Sequence, residues 1–247
     1  MPRTESTAII IPARYKSSRF PGKPLVDLAG KPMIARVAEK CMQAISRDAV
    51  FVATDDDRIR AACEEHRINV IMTADNHPTG TDRIAEAASK IDAEYLINVQ
   101  GDEPLIMPED IQRVIDEKQK YPADIINAYC PIAADEDPAS NTIPKVVFNE
   151  AGQLVYMSRS VIPGMKQGSA TPPYHKQVCI YGFTRDQLQR YASFGRKSLL
   201  ESYEDIEILR FLELDINVRM VEVSASSIAV DTPQDVDRVI AAMAANE

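Results

Sequence analysis

Residues 8–14 (AIIIPAR) run directly into the loop 15–25 (YKSSRFPGKPL), and this stretch decides the fold that the sequence predicts. Its first four residues form an apolar run rich in isoleucine, which is typical of a strand buried on both faces. Apolar side chains from Ile34 to Cys41 then recur at helical spacing. Pro32 suits the first turn of that helix. A strand, a loop and a helix in this order favour a parallel sheet with crossover helices.

The same alternation continues along the chain. Short apolar runs that predict further strands lie at residues 50–53, 70–72, 95–99 and 218–223. Helical periods lie at residues 59–66, 81–90 and 201–213, and from Pro233 onward. Residues 145–148 and 154–157 flank a loop that contains glycine, which predicts a hairpin. We expect the C-terminal helix to pack back on the first part of the chain.

These elements predict an α/β fold with a mixed sheet flanked by helices. At 247 residues the chain is long enough for one large domain, residues 1–247. We place a smaller β-rich lobe within it at approximately residues 130–190. Residues 162–176 are rich in proline, glycine and serine, so we expect a mobile loop there that acts as a lid.

Charge and composition argue against several classes of protein. The net charge of −9 would repel polyanions, and no basic run offsets it, so nucleic acid is not an expected partner. No apolar stretch approaches the roughly 20 residues that span a bilayer, and the N-terminus lacks a secretory signal. We therefore expect a cytoplasmic protein with no membrane partner. The cysteines and histidines are too scattered for a zinc site.

Three cations follow the first strand. Arg14, Arg19 and Lys23 lie close together in sequence, next to Gly22. Ligands bind at the carboxyl ends of strands in open α/β sheets, and fixed cations there can neutralise a triphosphate and stabilise a departing pyrophosphate. The alternative interpretation is an ordinary solvated basic loop. The segment matches neither a P-loop nor a dinucleotide-binding glycine motif, so an ATPase or an oxidoreductase of those types is not favoured.

Two acidic segments are candidates for a magnesium site. Asp102 lies in residues 98–104 (NVQGDEP), directly after an apolar strand, and Asp231 lies in residues 230–235 (VDTPQD). Magnesium prefers oxygen ligands and often links one or two carboxylates to phosphate. Either segment is also explained by local structure: the first as an ordinary turn, and the second as a helix start in which Asp231 and Asp235 favour the N-terminal end.

Together these three segments resemble the 3-deoxy-manno-octulosonate (Kdo) cytidylyltransferases, also called CMP-Kdo synthetases. IIPAR-x4-R-x-PGKPL, NVQGDEP and VDTP-x-D occur in that family's order and approximate spacing, and the similarity covers nearly the whole chain. The resemblance implies a nucleotide-diphospho-sugar transferase-like (Rossmann-like) fold, usually a homodimer, that uses CTP and Mg²⁺ in lipopolysaccharide biosynthesis. In this family the anomeric hydroxyl of the sugar attacks the α-phosphate of CTP, and pyrophosphate leaves.

The resemblance also assigns residues to the nucleotide and the metal. It places Arg14, Arg19 and Lys23 at or near the CTP phosphates, with Asp102 and Asp231 on magnesium. The expected catalytic residues are Lys23, Asp102 and Asp231. Residues 79–83 (TGTDR) are similar to the family's S-G-T-[ED]-R, so Thr79 and Gly80 are expected at the nucleobase. A loop with a helix cap at Thr81 is the local alternative.

The sugar-binding residues are expected further along the chain. Arg159 lies in a segment similar to Y-F-S-R-x-x-I-P, where the family's arginine faces the sugar carboxylate, a group that a planar guanidinium suits. Tyr181 matches the tyrosine of I-Y-G-[YF] and Glu207 the third glutamate of L-E-x2-E-x2-E. Core packing of the tyrosine and a solvated glutamate face are the alternatives. We also expect Gln100 and Gln177 to contact the sugar.

The departures from the family pattern fall in the sugar segments. Gln177 stands where the family has histidine, Cys179 replaces glycine, and Ile208 replaces glutamine. This asymmetry favours an altered sugar over altered chemistry, and a branch of the family activates 8-amino-3,8-dideoxy-manno-octulosonate. Our hypothesis is that this chain belongs to that branch.

Two other functions compete with this interpretation. Residues 55–57 (DDD) contain the D-x-D metal motif of glycosyltransferases, although an acidic run also suits the start of the next helix. The third candidate is a non-catalytic nucleotide-binding module, which would bind CTP without turnover.

Overall fold

The computed structural model describes residues 6–16, 20–167, 170–224, 228–230 and 232–245. Within these ranges the strands form one mixed sheet. The strands are β1 Thr7–Ala13, β2 Val50–Thr54, β3 Asn69–Met72, β4 Tyr95–Val99, β5 Ile125–Pro131, β6 Lys145–Phe148, β7 Leu154–Ser158, β8 His175–Thr184 and β9 Val218–Glu222. The helices are α1 Met33–Ala44, α2 Asp57–Glu65, α3 Gly80–Ala88, α4 Pro108–Lys120, α5 Arg185–Ser193, α6 Leu199–Glu204, α7 Leu209–Glu213 and α8 Pro233–Ala245.

The strand order places the ends of β1 and β4 side by side. The order is β3-β2-β1-β4-β8-β5-β9, and β1 runs parallel to both β2 and β4. β8 is antiparallel to β4 and to β5, which makes the sheet mixed. Because Ile10 is opposite Asn98, the loop after β1 and the turn after β4 leave the same edge of the sheet. This edge is where α/β sheets bind ligands.

Two helical layers cover the sheet. On one face α1, α2 and α4 pack over Ile9 and Ile11, and on the other α3, α5 and α7 pack over Ile10. All three isoleucines are fully buried, as expected for a central parallel strand. Burial of each side chain stabilises the fold by about 1.5–3 kcal/mol, so this strand is a rigid support for the loop that follows it.

The predicted hairpin and the predicted position of the C-terminal helix are confirmed. β6 and β7 pair with each other, and Gly152 in their connection has a positive φ of 75°. The hairpin contacts the main sheet through the pairing of Lys145 with Lys176 on β8. Val239 of α8 packs with Leu28 and Met33 in a third apolar cluster. The division into a main domain and a lobe stays a prediction.

The predicted helix at 201–213 is wrong in one respect. Asp205 adopts the left-handed conformation with φ 52°, so the segment is broken into α6 and α7. Glu207 lies in this break. A continuous helix would carry its glutamates on a solvated face, whereas here Glu201 is fully buried and both Glu204 and Glu207 are bonded inside the protein. Among the described residues, no helix is long and apolar enough to cross a membrane.

Candidate active site

A cavity of about 210 Å³ opens at the carboxyl ends of β1 and β4. Seven of the residues proposed from the sequence line it: Arg14, Lys23, Thr79, Gly80, Gln100, Asp102 and Glu207. They come from segments far apart in the chain, so the fold itself brings them together. Arg14 is exposed at the mouth, while Thr79 is buried. The cavity is therefore the candidate site.

The loop after β1 folds back on itself and directs Lys23 into the cavity. The backbone N–H of Gly22 donates to the carbonyl of Tyr15 at 2.9 Å. Gly22 has φ 73°, a conformation that a side chain would disfavour, and it precedes a short 3-10 turn at Lys23–Leu25. Pro24 in that turn is buried. The glycine and the proline thus fix the direction in which Lys23 leaves the backbone.

The turn after β4 approaches the end of β1 very closely. A Cβ atom at Gly101 would lie 3.1 Å from the carbonyl oxygen of Pro12. Only glycine fits this approach without a backbone shift, and the approach brings Asp102 next to the loop after β1. Lys23 Nζ lies 2.7 Å from Asp102 Oδ2, with the side chains 17% and 28% exposed. The ammonium group of Lys23 and the carboxylate of Asp102, a group that can bind a metal ion, therefore meet at the cavity, and solvent reaches both.

Arg19 and Asp231 lie outside the described residues. Val230, which directly precedes Asp231, is among the described residues. It donates its backbone N–H to the carbonyl of Asp102 at 2.9 Å. Asp235 Oδ2 accepts from both the N–H and the hydroxyl of Thr232, at 2.8 and 2.9 Å, which confirms that it supports the start of α8. In the placed part of the chain, no three His, Cys, Asp or Glu side chains cluster as a metal cage.

The opposite wall of the cavity is the N-terminus of α3. Thr79 is its cap, and its hydroxyl oxygen accepts from the N–H of Asp82 at 3.1 Å. The predicted cap at Thr81 is wrong, because Thr81 donates instead to the carboxylate of Glu207. That carboxylate accepts from the N–H groups of Gly80 and Thr81 at 3.1 and 2.8 Å, and from the Thr81 hydroxyl at 2.5 Å. A carboxylate is favoured at a helix N-terminus. Burial nevertheless raises the pKa of Glu207.

A buried ion-pair network that sequence analysis missed supports this wall. Arg210 is fully buried and donates to both oxygens of Glu201 at 2.7 Å and to Asp82 at 3.0 Å. Its guanidinium also lies 3.7 Å from the ring centre of Tyr191. The network ties α3 to α6 and α7. Asp82 and Arg210 are 128 residues apart, so no local pattern could reveal the pair.

Arg159 does not line the cavity. Its guanidinium donates to the carbonyl oxygens of Asn141, Glu204 and Asp205 at 3.0, 2.5 and 3.1 Å. Its own carbonyl accepts from Lys145 Nζ at 2.5 Å, and its N–H donates to the Glu204 carboxylate at 2.8 Å. Arg159 is thus held against the break between α6 and α7, and its contact with a sugar carboxylate stays a prediction.

Gln177 and Tyr181, on β8, do not line the cavity either. Gln177 Nε2 donates to Asn127 Oδ1 at 3.0 Å. Tyr181 is 8% exposed and stacks on Phe183 with ring centres 6.1 Å apart, and burial raises its pKa. Both are packed as parts of the sheet. Their contact with a sugar likewise stays a prediction.

Cys179 contacts a cavity residue through its main chain. The N–H of Gln100 donates to the carbonyl of Cys179 at 3.2 Å, and the N–H of Cys179 donates to Glu103 at 3.2 Å. Burial raises the pKa of the thiol. At this departure from the family pattern the main chain therefore contacts a cavity residue, and the side chain is a neutral thiol.

The acidic run at 55–57 starts a helix, as predicted. Asp56 caps α2 and accepts from the N–H of Arg58 at 2.9 Å, while Asp57 is the first residue of α2. Asp55 pairs with Arg83 at 3.2 Å. Since these carboxylates have structural partners and none lines the cavity, the structure gives no support to the glycosyltransferase alternative.

Comparisons with known proteins agree with this geometry. Residues 8–218 match the model of a family described as cytidylyltransferase. The 3-deoxy-manno-octulosonate cytidylyltransferase of Escherichia coli is 41% identical over 236 residues, which cover 96% of this chain and 95% of the relative. The enzyme of the same name from Anaeromyxobacter dehalogenans is 42% identical over 240 residues, which cover 96% and 98%.

Solved structures show the same fold. A CMP:2-keto-3-deoxy-manno-octonic acid synthetase complexed with CTP superposes with a TM-score of 0.89 at 40% identity, over 98% of this chain and 100% of that one. The 4-diphosphocytidyl-2C-methyl-D-erythritol synthase of Anaerococcus prevotii superposes with a TM-score of 0.64 at 13% identity, over 97% and 99%. The second likeness concerns the fold alone. Both confirm the predicted mixed α/β sheet flanked by helices.

Proposed function

Because the chain belongs to the 3-deoxy-manno-octulosonate cytidylyltransferase family, we propose that it transfers CMP from CTP to the anomeric hydroxyl of a Kdo-type sugar acid. The hydroxyl oxygen forms a bond to the α-phosphorus of CTP, and the bond from that phosphorus to the oxygen bridging to the β-phosphate breaks. Pyrophosphate leaves with the bridging oxygen, and the hydroxyl proton passes to water. The observation that supports this best is the contact of Lys23 with Asp102 in a cavity at the end of β1.

Lys23 and Arg14 are the proposed partners of the triphosphate. Both line the cavity, and Lys23 is held in place by Asp102 at 2.7 Å. A fixed ammonium stabilises the charge that develops on the departing pyrophosphate without any reorganisation during the reaction. Phosphoryl chemistry of this kind depends chiefly on such positioning and charge, so no covalent intermediate is needed.

The residues at this site fit a magnesium ion held mainly by the nucleotide. Asp102 supplies one carboxylate at the cavity, and Mg²⁺ is commonly bound by one or two carboxylates together with substrate phosphates. We propose Asp102 and Asp231 as its protein ligands; the backbone bond from Val230 to Asp102 supports this pairing. When bound, the ion would polarise the α-phosphate and acidify the attacking hydroxyl. Lys23 would then contact the phosphates and would keep only part of its contact with Asp102.

For the sugar, we propose 8-amino-3,8-dideoxy-manno-octulosonate as the preferred substrate over Kdo. The support is that the departures from the family pattern fall in the segments assigned to the sugar, whereas the Lys23 and Asp102 segments keep the pattern; one of these departures, Cys179, accepts a backbone hydrogen bond from the cavity residue Gln100. An altered polar contact changes discrimination between such sugars by orders of magnitude. Specificity constants for both sugars test this: a strong preference for Kdo would contradict it.

The first experiment is to incubate the purified protein with CTP, Mg²⁺ and each octulosonate. We expect pyrophosphate release and a CMP-sugar mass. Asp102→Asn should lower turnover about 100-fold or more, the usual size of such electrostatic effects. Asp116→Asn, on the exposed face of α4, is the matched control and should leave it unchanged.

The possible outcomes separate the alternatives. Binding of CTP without turnover would favour the nucleotide-binding module, and sugar transfer without pyrophosphate would favour a glycosyltransferase. Light scattering on the purified protein tests the proposed homodimer, which a monomeric mass would contradict.

A further inference from the structure

His77 lines the cavity at the beginning of α3 and has no role in the proposal above. It lies between β3 and α3, with its side chain 17% exposed. We propose that His77 selects the base of the nucleotide: its ring nitrogen Nδ1 accepts a hydrogen bond from the exocyclic amine of cytosine and so favours CTP over UTP. This inference rests on the proposed function, because it assumes that a nucleotide occupies the cavity.

The hydrogen-bond partner of the other ring nitrogen, Nε2, determines that Nδ1 is an acceptor. Nε2 lies 2.5 Å from an oxygen of Glu86. Glu86 also accepts from Lys90 Nζ at 2.7 Å and from the N–H of Ala74 at 2.9 Å. Burial alone would raise the pKa of Glu86, but these hydrogen bonds lower it to about 2. An ionised carboxylate only accepts, so Nε2 carries the proton, and in a neutral imidazole Nδ1 is then the acceptor.

The other polar groups on this wall already have partners inside the protein. The N–H groups of Gly80 and Thr81 donate to Glu207, and the Thr79 hydroxyl donates to Asp82 at 2.7 Å. Arg83 is 4% exposed, forms an ion pair with Asp55 and donates a hydrogen bond to the Thr73 hydroxyl. Among the described side chains from residue 77 to residue 83, His77 therefore keeps a ring nitrogen that has no partner inside the protein.

The triphosphate determines which part of the nucleotide reaches His77. Lys23 and Asp102 mark the proposed phosphate end of the cavity, and the same cavity includes His77 on the α3 wall. When the phosphates bind at Lys23 and Asp102, the base is the part of the nucleotide that is left to face His77. Cytosine presents an amine donor where uracil presents a carbonyl oxygen. Opposite an acceptor nitrogen the amine forms a hydrogen bond, whereas the carbonyl leaves two acceptors facing each other.

The test compares kcat/KM for CTP and UTP in His77→Ala and Glu86→Gln. His77→Ala should lower the CTP:UTP ratio about tenfold, the factor that one hydrogen bond provides. Glu86→Gln keeps the ring but supplies an amide that donates or accepts, so either tautomer becomes available and the ratio should fall by a smaller factor. His66→Ala, at the C-terminal end of α2 and away from the cavity, is the control and should keep the wild-type ratio.

Binding measurements keep this test independent of the proposed reaction. Calorimetric titration of CTP and UTP into the same variants reports base discrimination without turnover, so absence of the CMP-sugar product would refute the reaction and not this inference. A thermal melt of each variant shows that it is folded. An unchanged CTP:UTP ratio in His77→Ala overturns the assignment, and an unchanged ratio in Glu86→Gln overturns the role of the tautomer.

Discussion

Replacement of Arg210 by methionine is expected to destabilise the protein strongly. The guanidinium is fully buried between Glu201 and Asp82, which accept its hydrogen bonds at 2.7 and 3.0 Å. Methionine fills much of the same volume but cannot neutralise either carboxylate. Glu201 itself is fully buried, so its charge would remain in a low-dielectric interior without a cation.

The expected loss follows from the cost of breaking a buried ion pair, about 3–5 kcal/mol. Unfolding entropy is about 2.1 cal/mol/K per residue, so a chain of 247 residues has an unfolding entropy of about 0.5 kcal/mol/K. Dividing the lost free energy by this unfolding entropy gives a decrease in Tm of about 6–10 °C. A double variant that also carries Glu201→Gln removes one of the stranded charges and should recover part of this decrease.

Differential scanning calorimetry at pH 7 measures the effect. The matched control is Arg190→Met, since Arg190 is exposed on α5 and donates to the carbonyl of Leu214 at 2.9 Å. The control should melt within about 2 °C of the wild type, as is usual for exposed positions. If Arg210→Met also melted within about 2 °C, or if Glu201→Gln gave no recovery, the electrostatic argument would be refuted.

Three further predictions concern the turn after β4, acid stability and a buried lysine. Gly101→Ala should slow pyrophosphate release about tenfold in a folded protein, because its methyl group would lie 3.1 Å from the Pro12 carbonyl and displace the turn; a wild-type rate would show that the turn has room. The low pKa of Glu86, about 2 in the folded protein, adds stability above pH about 4.5 that is lost as the pH falls toward 2. From pH 5 to pH 2.5, the free energy of unfolding measured with urea should therefore fall by roughly 1–3 kcal/mol less in Glu86→Gln than in the wild type. Equal decreases in the two proteins would contradict this. Lys118→Met should lower the free energy of unfolding by about 2 kcal/mol or more, because it leaves Gln187 Oε1 and two carbonyl oxygens without their buried donor; an unchanged urea midpoint would contradict it.

Local patterns were sufficient to predict most elements of the first half of the chain. β1 to β4 and α1 to α3 follow from apolar runs and helical periods, which depend on near neighbours in sequence, whereas α4 was not predicted. The insertion of β8 between β4 and β5 was not predicted, because the pairing of distant strands leaves no local period. The break at Asp205 was missed for a similar reason, since the bonds that favour it join Glu207 to Gly80 and Thr81.

The candidate site was predictable where one rule about sheets applied. Lys23 and Asp102 each follow a strand, and parallel strands end at the same edge, so their meeting was expected. Arg159 was assigned by resemblance alone, and a motif does not report which carbonyl groups a guanidinium contacts in the folded chain. His77 was missed because its signal is the carboxylate of Glu86, nine residues later and in contact only once α3 has formed.

The position of β8 has a consequence for synthesis on the ribosome. β1 to β4 can associate as soon as they emerge, but β4 then exposes one edge until α4, β5 and the hairpin have been made and β8 follows. During that interval its unpaired backbone groups, flanked by Leu96 and Ile97, are a template for strands of other nascent chains. A message truncated before residue 175 would accordingly produce an aggregating fragment and not a half-active protein.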